Sequence, residues 1–156
     1  MVGRIAFQGE LGAYSHQACQ QSRPRMEAVP STTFEEVVDK VARGEVDLGM
    51  LAVENSTYGR VADVHSLLPK SGLHIVDEAF VRVHVNLLGV PGAKLDEVRE
   101  AHGHVVILPQ CAGFLKAHAI RGRVSSDNAR AAREVAEAGD KSKAALASEL
   151  AASIYG

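Results

Sequence analysis

The chain has 156 residues, 46% of them apolar and 23% charged, which is typical of a folded protein large enough to bury a core. Its formal net charge of −2, with Lys and Arg scattered, argues against a nucleic-acid-binding surface. Neither a membrane-spanning apolar run nor a secretory signal is visible, so we expect a cytoplasmic protein without membrane contact. Cys19 and Cys111 lie far apart, outside any metal or redox spacing, so we expect two reduced thiols.

The first third of the chain predicts strands alternating with helices. A short apolar run predicts a strand over 5–7, and a helix is expected to open near Ser15. A second strand is predicted over 26–29, stopped by Pro30. The stretch that follows carries the clearest helical pattern of the chain.

That helix has one apolar face, formed by residues at helical spacing: Phe34, Val37, Val38 and Val41. Thr33 and Glu36 have the spacing of a capping box at its start. Gly44 stands where a C-terminal glycine cap belongs. The pattern therefore predicts an amphipathic helix with both ends marked.

The middle of the chain predicts a change of lobe. Residues 46–53 are almost all apolar, which predicts a central parallel strand covered on both faces, and a helix is predicted over 59–68. Period-2 alternation around 76–88 predicts an extended segment that leaves one lobe and enters another. We therefore divide the chain into a first lobe, 1–78, and a second lobe, 79–156.

The second lobe continues the alternation of helices and strands. Helices are predicted over 94–101, 110–118, 128–138 and 148–155, and strands over 104–108, 122–125 and 143–147. Strands separated by helices of this size form βαβ units. The predicted fold class is therefore α/β, with two lobes and mainly parallel sheets flanked by helices.

Ligands of such sheets bind beyond the carboxyl ends of the strands, so the turns there are the candidate site. The first turn spans 8–15, and its glycines would let the backbone approach an anion at the N-terminus of the next helix. It lacks the GxGxxG pattern of a dinucleotide site. A plain tight turn with Ser15 as N-cap fits the spacing equally well.

The second turn holds Glu54, Asn55 and Ser56. Glu54 would be a proton donor if burial raised its pKa. Asn55 can orient a carboxylate or hydroxyl, and Ser56 can donate a hydrogen bond to one. Alternatively, Asn55 and Ser56 only satisfy the turn backbone and cap the next helix.

The remaining polar clusters carry less chemistry. In the third turn, over 125–128, the pattern Ser-Ser-Asp-Asn favours helix capping. His102 and His104 lie two residues apart but lack a third ligand at suitable spacing, so no metal site is predicted. The residues point to a small, polar, anionic ligand.

Taken together, five segments resemble the catalytic domain of prephenate dehydratases: IAFQGELGAYSHQA, TFEEVVDKVARGEVDLGMLAVENSTYGRVADVHSLL, HGHVVILPQC, SSDNARAAREVA and AALASELAASIYG. The resemblance implies a fold like type II periplasmic binding proteins, with the active site in a cleft between the lobes. It implies conversion of prephenate, a dicarboxylate, to phenylpyruvate, water and carbon dioxide, without metal or organic cofactor. Arogenate is an alternative substrate, and a homodimer or higher assembly is implied.

The resemblance also assigns residues. Glu54, Asn55 and Gln110 are expected to be catalytic. The substrate is expected to contact Gly12, Ala13, Tyr14, Ser15, Ser56, Asp127 and Asn128.

The sequence departs from the family pattern at three places. Gly103 occupies a position where the family usually has serine, and Asn128 one where it has threonine. The family continues past Gly156 to a Thr-Arg-Phe motif and a regulatory ACT domain, so the resemblance implies an incomplete, weakly active catalytic domain here. A binding module of the same fold, which captures a small carboxylate without chemistry, is the alternative hypothesis.

Overall fold

The computed structural model describes residues 2–156, which alternate short strands and helices. The strands are β1 Arg4–Gln8, β2 Glu27–Ser31, β3 Leu48–Met50, β4 Glu54–Asn55, β5 Gly59–Arg60, β6 Asn86–Gly89, β7 Glu100–His104, β8 Arg121–Ser125 and β9 Lys143–Ala147. The helices are α1 Tyr14–Ser22, α2 Phe34–Ala42, α3 Ala62–Leu67, α4 Leu108–Ala117, α5 Asn128–Ala138 and α6 Glu149–Tyr155, and a 3₁₀ turn spans Leu68–Lys70.

The chain divides into two compact units. Unit 1 contains the N-terminal residues up to Glu10 together with Tyr14–Arg82. Unit 2 contains Val83–Gly156 and also takes in the short segment Leu11–Ala13 from the first turn of the chain. The chain therefore passes from one unit to the other three times.

Unit 1 is built on a three-stranded parallel sheet in the order β2-β1-β3. Ile5 and Phe7 of the central strand are almost fully buried, as is Val37 of α2. Thr33 caps α2 as predicted, because its Oγ1 accepts from Glu36 N at 3.1 Å, whereas the return bond of the capping box is shifted by one residue: Glu36 Oε2 accepts from Thr32 N at 2.6 Å. Gly44, just past the helix, has φ +69°, which confirms the predicted glycine cap.

Three predictions for unit 1 need correction. Pro30 lies inside β2 and does not end it, since β2 is an edge strand whose proline needs no outward partner. The predicted central strand 46–53 is only β3, a three-residue strand that pairs with β1 alone among the described strands. Residues 59 and 60 form β5, so the helix predicted over 59–68 begins at Ala62.

Unit 2 contains a four-stranded sheet in the order β6-β9-β7-β8, in which only the β6–β9 pair is antiparallel. Small residues let helix α5 approach this sheet: Ala131, Ala132 and Val135 pack against Ala145 and Ala147. The predicted helix 128–138 and strand 143–147 are confirmed residue for residue. The predicted α/β class with mainly parallel sheets is also confirmed.

The start of unit 2 differs from the prediction. No helix forms over 94–101, and the strand expected over 104–108 is instead β7, Glu100–His104. The apolar residues 105–107 directly precede α4, and Ile107, the N-cap residue of this helix, is buried. Residues 72–85 form neither helix nor strand. Of the extended segment predicted to run from one lobe to the other, only β6 forms a strand.

Candidate active site

The turn before α1 is shaped by unit 2. Gly12 has φ +96°, and a Cβ built there would lie 2.9 Å from Ala151 Cα of helix α6. Such a distance is too short for any side chain, so glycine is required by the approach of the α6 backbone. From the sequence alone, this glycine is explained by the approach of a ligand to the backbone. Packing against α6 is a second reason for glycine at this position.

Ala13, Tyr14 and Ser15 are half-buried at the start of α1. The helix begins at Tyr14, so Ser15 lies inside its first turn and the alternative interpretation of Ser15 as N-cap is wrong. That turn contains no acidic residue. The peptide N–H groups of a helix N-terminus without acidic neighbours favour an anionic ligand.

Glu54, Asn55 and Ser56 lie on a β-hairpin, which corrects the strand-to-helix turn predicted for them. Glu54 is paired with Arg60 across the hairpin. Asn55 Oδ1 accepts hydrogen bonds from Thr57 N and Tyr58 N, both at 2.9 Å, and so closes the turn. Helix α3 has Val61 at its N-cap, without a side-chain cap bond, so neither Asn55 nor Ser56 caps it.

The outer positions of this hairpin are open. Glu54 and Ser56 are exposed, so unit 1 does not give Glu54 the burial that its interpretation as a proton donor assumed. Asn55 is half-buried, and its Nδ2 donates to no residue among 2–156. The hairpin thus presents a carboxylate, an amide N–H₂ group and a hydroxyl.

In unit 2, the candidates surround the ends of β7 and β8. Asn128 Oδ1 accepts from His104 N at 2.7 Å and so joins the end of β7 to the start of α5. Asp127 caps α5, because its Oδ1 accepts from Arg130 N at 2.9 Å. The capping interpretation of this turn is therefore confirmed.

Gln110 lies exposed in the first turn of α4, where its Nε2 donates to Val106 O at 3.0 Å. This bond fixes the side chain, and its Oε1 makes no hydrogen bond within residues 2–156. The neighbouring Cys111 is half-buried, and burial raises the pKa of its thiol. A neutral thiol is a poor nucleophile.

Gly103, which replaces the usual serine, is buried in β7. A Cβ there would meet Leu146 Cβ at 3.1 Å and Asn128 Oδ1 at 3.5 Å. A serine would therefore have to displace Leu146 slightly to reach Asn128. Glycine leaves the Asn128 carbonyl oxygen to the His104 N–H.

The candidate residues fall into two sets, each in its own unit. Unit 1 holds Tyr14, Ser15, Glu54, Asn55 and Ser56, and unit 2 holds Gly12, Ala13, Gln110, Asp127 and Asn128.

Two residues at the ends of α6 were missed by sequence reasoning, its N-cap Ser148 and its last residue Tyr155. Ser148 Oγ donates to Gly12 O at 2.5 Å, and Tyr155 OH donates to Leu11 O at 2.7 Å. The N-cap signature of Ser148 before Glu149 was the available signal. It indicates a helix start, but it does not indicate a partner more than a hundred residues away.

Within residues 2–156, no three His, Cys, Asp or Glu side chains are grouped as a metal ion would need. None of the helices in this part of the chain combines the length and apolar content needed to cross a membrane.

Two α/β units with mainly parallel sheets, and polar turns at the strand ends, define a protein of the type II periplasmic-binding-protein-like class. The family model for prephenate dehydratase matches residues 5–156. The chain belongs to the prephenate dehydratase family.

Similar proteins agree with this assignment. The chain is 46% identical to a bifunctional N-acyl-homoserine lactone acylase/prephenate dehydratase of Komagataeibacter europaeus, over 97% of the chain and 54% of that protein. It is 39% identical to the chloroplastic arogenate dehydratase/prephenate dehydratase 1 of Arabidopsis thaliana, over 98% of the chain and 39% of that protein. The chain thus spans about half, or less, of the length of the curated relatives it matches.

Solved structures give the same fold. The chain superposes with a TM-score of 0.90 on GqqA, described as a novel type of quorum quenching acylase, at 46% identity over 97% of the chain and 56% of GqqA. It superposes with a TM-score of 0.88 on prephenate dehydratase from Arthrobacter aurescens in complex with L-Phe, at 24% identity over 97% of the chain and 52% of that structure. At that identity the second likeness speaks for the fold alone.

Proposed function

We propose that the chain carries the prephenate dehydratase activity of its protein, converting prephenate to phenylpyruvate, water and carbon dioxide. The observation that carries this proposal is the family match across residues 5–156. The polar groups at the Glu54–Ser56 hairpin and at Gln110 support it, since they remain available to a ligand after their structural bonds are made.

For this reaction the protein must hold both carboxylates of prephenate and protonate its ring hydroxyl. Loss of the ring carboxylate as carbon dioxide leaves its bonding electron pair to the ring, which becomes aromatic as the ring hydroxyl departs. The departing hydroxide takes one proton and leaves as water. Glu54 is our candidate for the donor of that proton, with Asn55 and Gln110 orienting the substrate.

The N-termini of α1 and α5 are our candidates for holding the carboxylates. Neither helix, nine and eleven residues long, has an acidic residue in its first turn, but the N-cap of α5 is itself a carboxylate, that of Asp127, which makes α1 the stronger candidate. Peptide N–H groups and the helix dipole stabilise an anion there. Ala13, Tyr14, Ser15, Asp127 and Asn128 would form these contacts, together with Gly12 and Ser56.

The test is turnover of prephenate by the full-length gene product, measured as phenylpyruvate formation. Gln110→Glu keeps the shape of the side chain but puts a negative charge at Oε1, the atom left for a ligand, and this charge repels an anionic substrate, so we expect kcat to fall about 100-fold. Gln21→Glu, on the exposed surface of α1, is the matched control. Absence of phenylpyruvate formation by the wild-type protein would overturn the proposal.

The proton-donor assignment needs its own variant. Glu54→Gln removes the acidic proton while keeping size, so we expect kcat to fall at least about 100-fold. An unchanged kcat would remove Glu54 from the chemistry and leave the family assignment intact.

Arogenate is the alternative substrate, because relatives are named as arogenate dehydratases. Parallel assays that measure phenylalanine from arogenate and phenylpyruvate from prephenate give the ratio of the two kcat/KM values. We favour prephenate, and a ratio in favour of arogenate would reverse that choice.

A second candidate activity is hydrolysis of N-acyl-homoserine lactones, in which water cleaves the amide into a fatty carboxylate and homoserine lactone. The 46% identical relative is named for both activities. Unit 2 has an apolar groove of about 250 Å³ between β6, α5 and α6, lined by residues such as Leu88, Ala132, Val135 and Ala152. Such a groove suits an acyl chain, and release of homoserine lactone, followed by mass spectrometry, is the test.

A homodimer or higher assembly, and a cytoplasmic location, stay predictions from the sequence. Light scattering after gel filtration tests the first, and cell fractionation tests the second.

A further inference from the structure

The turn that precedes α1 is held in place by the last helix of the chain. Tyr155 OH donates to Leu11 O at 2.7 Å, and Ser148 Oγ donates to Gly12 O at 2.5 Å. Both acceptors are main-chain carbonyls of consecutive residues, so two successive peptide groups are fixed by side chains of one element.

The packing beneath this turn leaves little freedom. Ser148 is 2% exposed, and its Oγ also accepts from Ala151 N at 3.0 Å, which caps α6. Gly12 sits against Ala151 so closely that no Cβ would fit. The position of the turn is therefore set by α6 through two hydrogen bonds and one backbone contact.

This anchoring determines where the next N–H groups point. A trans peptide is planar, so its N–H points opposite to its C=O. Because Gly12 C=O is directed at Ser148, the N–H of Ala13 is directed away from α6. The bond from Tyr155 to Leu11 O fixes the preceding peptide plane and so steadies the Ala13 N–H.

We propose that Ser148 and Tyr155 are positioning residues, which hold the Gly12–Ala13 peptide so that the Ala13 N–H points at a substrate carboxylate. The proposal rests on the proposed function, because it takes this turn as a carboxylate-binding element. Neither residue touches the substrate; each acts through a main-chain carbonyl.

Tyr155→Phe is the sharpest variant, since it removes one hydroxyl and leaves the α6 cap intact. In the full-length protein we expect KM for prephenate to rise about five-fold, the value of one ordinary hydrogen bond, with kcat nearly unchanged. Ser148→Ala should raise KM further, because it also loses the cap. Ser153→Ala is the matched control: Ser153 lies on α6, but within residues 2–156 its Oγ donates only to Glu149 O of the same helix.

Amide hydrogen exchange separates positioning from general destabilisation. We expect Tyr155→Phe to speed exchange at residues 12–14 while the amides of β9 keep their wild-type rates. An unchanged KM, exchange that speeds up equally across unit 2, or the same KM change in Ser153→Ala would each overturn the inference. If wild type forms no phenylpyruvate, the proposed function fails, and the exchange result alone still decides whether Ser148 and Tyr155 fix the turn.

Discussion

His16 shows how one buried side chain makes stability depend on pH. The imidazole is 6% exposed and stacks on Phe7 with ring centroids 5.2 Å apart. Burial disfavours the charged form and lowers the pKa of His16 below its ordinary value of 6.5. On acidification, His16 of the unfolded chain is therefore protonated near pH 6.5, whereas His16 of the folded chain stays neutral at that pH.

It follows that the contribution of neutral His16 is present above pH 6.5 and is lost as the pH falls towards the folded pKa. We predict that the free energy of unfolding falls between about pH 7.5 and about pH 5.5, and that His16→Gln flattens this slope. Urea unfolding at several pH values measures this dependence of the free energy of unfolding on pH. His74→Gln, at an exposed site, should keep the wild-type slope, and equal slopes for all three proteins would contradict the prediction.

The two cysteines differ in burial and should differ in reactivity. Cys19 is 1% exposed, and burial raises the pKa of its thiol to about 12, whereas Cys111 is only half-buried. Since the thiolate is the nucleophile, iodoacetamide should label Cys111 well before Cys19 in the folded protein. Peptide mass spectrometry at timed intervals checks this, with urea-unfolded protein as the control in which both label. Early labelling of folded Cys19 would refute it.

At the scale of elements, substitution by alanine should change the stability of the protein in opposite directions at two glycines. Gly113 lies inside α4, and a Cβ there would meet no atom within 4 Å. Gly139 ends α5 with φ +62°, where a Cβ is strained.

We therefore predict that Gly113→Ala stabilises the protein by about 0.5–1 kcal/mol, because it lowers the entropy of the unfolded chain. Gly139→Ala should destabilise it by about 1–2 kcal/mol. The change in urea midpoint measures both. A shift of the same sign in the two variants would show that backbone conformation does not decide the outcome.

Element boundaries could be predicted where local signals agreed. Helix α5 has a capping aspartate, an apolar stripe and a terminal glycine, and all three signals point to the same limits. Strand β7 gave no such agreement, since its buried positions are Ala101 and Gly103, which apolar periodicity does not detect. The large apolar residues next to it start a helix instead. Burial through small residues depends on the neighbour, here Leu146 beside Gly103, and so is not visible in a local pattern.

At the scale of the whole molecule, residues 72–85 are a mostly exposed segment of the chain. They form no helix or strand, and Phe80 is 86% exposed. Exposed backbone outside helices and strands is where proteases cut folded proteins. We predict that chymotrypsin first cuts folded protein after Phe80, as measured by mass spectrometry of early fragments.

Phe80→Ala should remove that first fragment pair. Phe7, at 0% exposure, serves as the internal control, because a cut there requires unfolding. A first cut at Tyr58, which is 62% exposed within its hairpin, would show that side-chain exposure outweighs loss of regular structure.

The candidate site could be predicted only in part, for a reason that belongs to the whole molecule. Local patterns identified the turns around Gly12, Glu54 and Asp127 as the candidate site. The partner of the first turn could not be deduced, because the contact of Gly12 with Ser148 joins residues 136 positions apart. Likewise, the hairpin at Glu54 depends on pairing with β5, whose two residues carry no strand signal.

The membership of Leu11–Ala13 in unit 2 has a consequence for biosynthesis on the ribosome. The turn is made at the beginning of the chain, but its anchors at Ser148 and Tyr155 follow 136 and 144 residues later. At about 5–20 residues per second, the turn waits roughly 7 to 27 s for its first anchor. Unit 1 can fold around its own sheet during that interval, whereas the Ala13 N–H, which we propose receives the carboxylate, acquires its direction only when synthesis reaches α6.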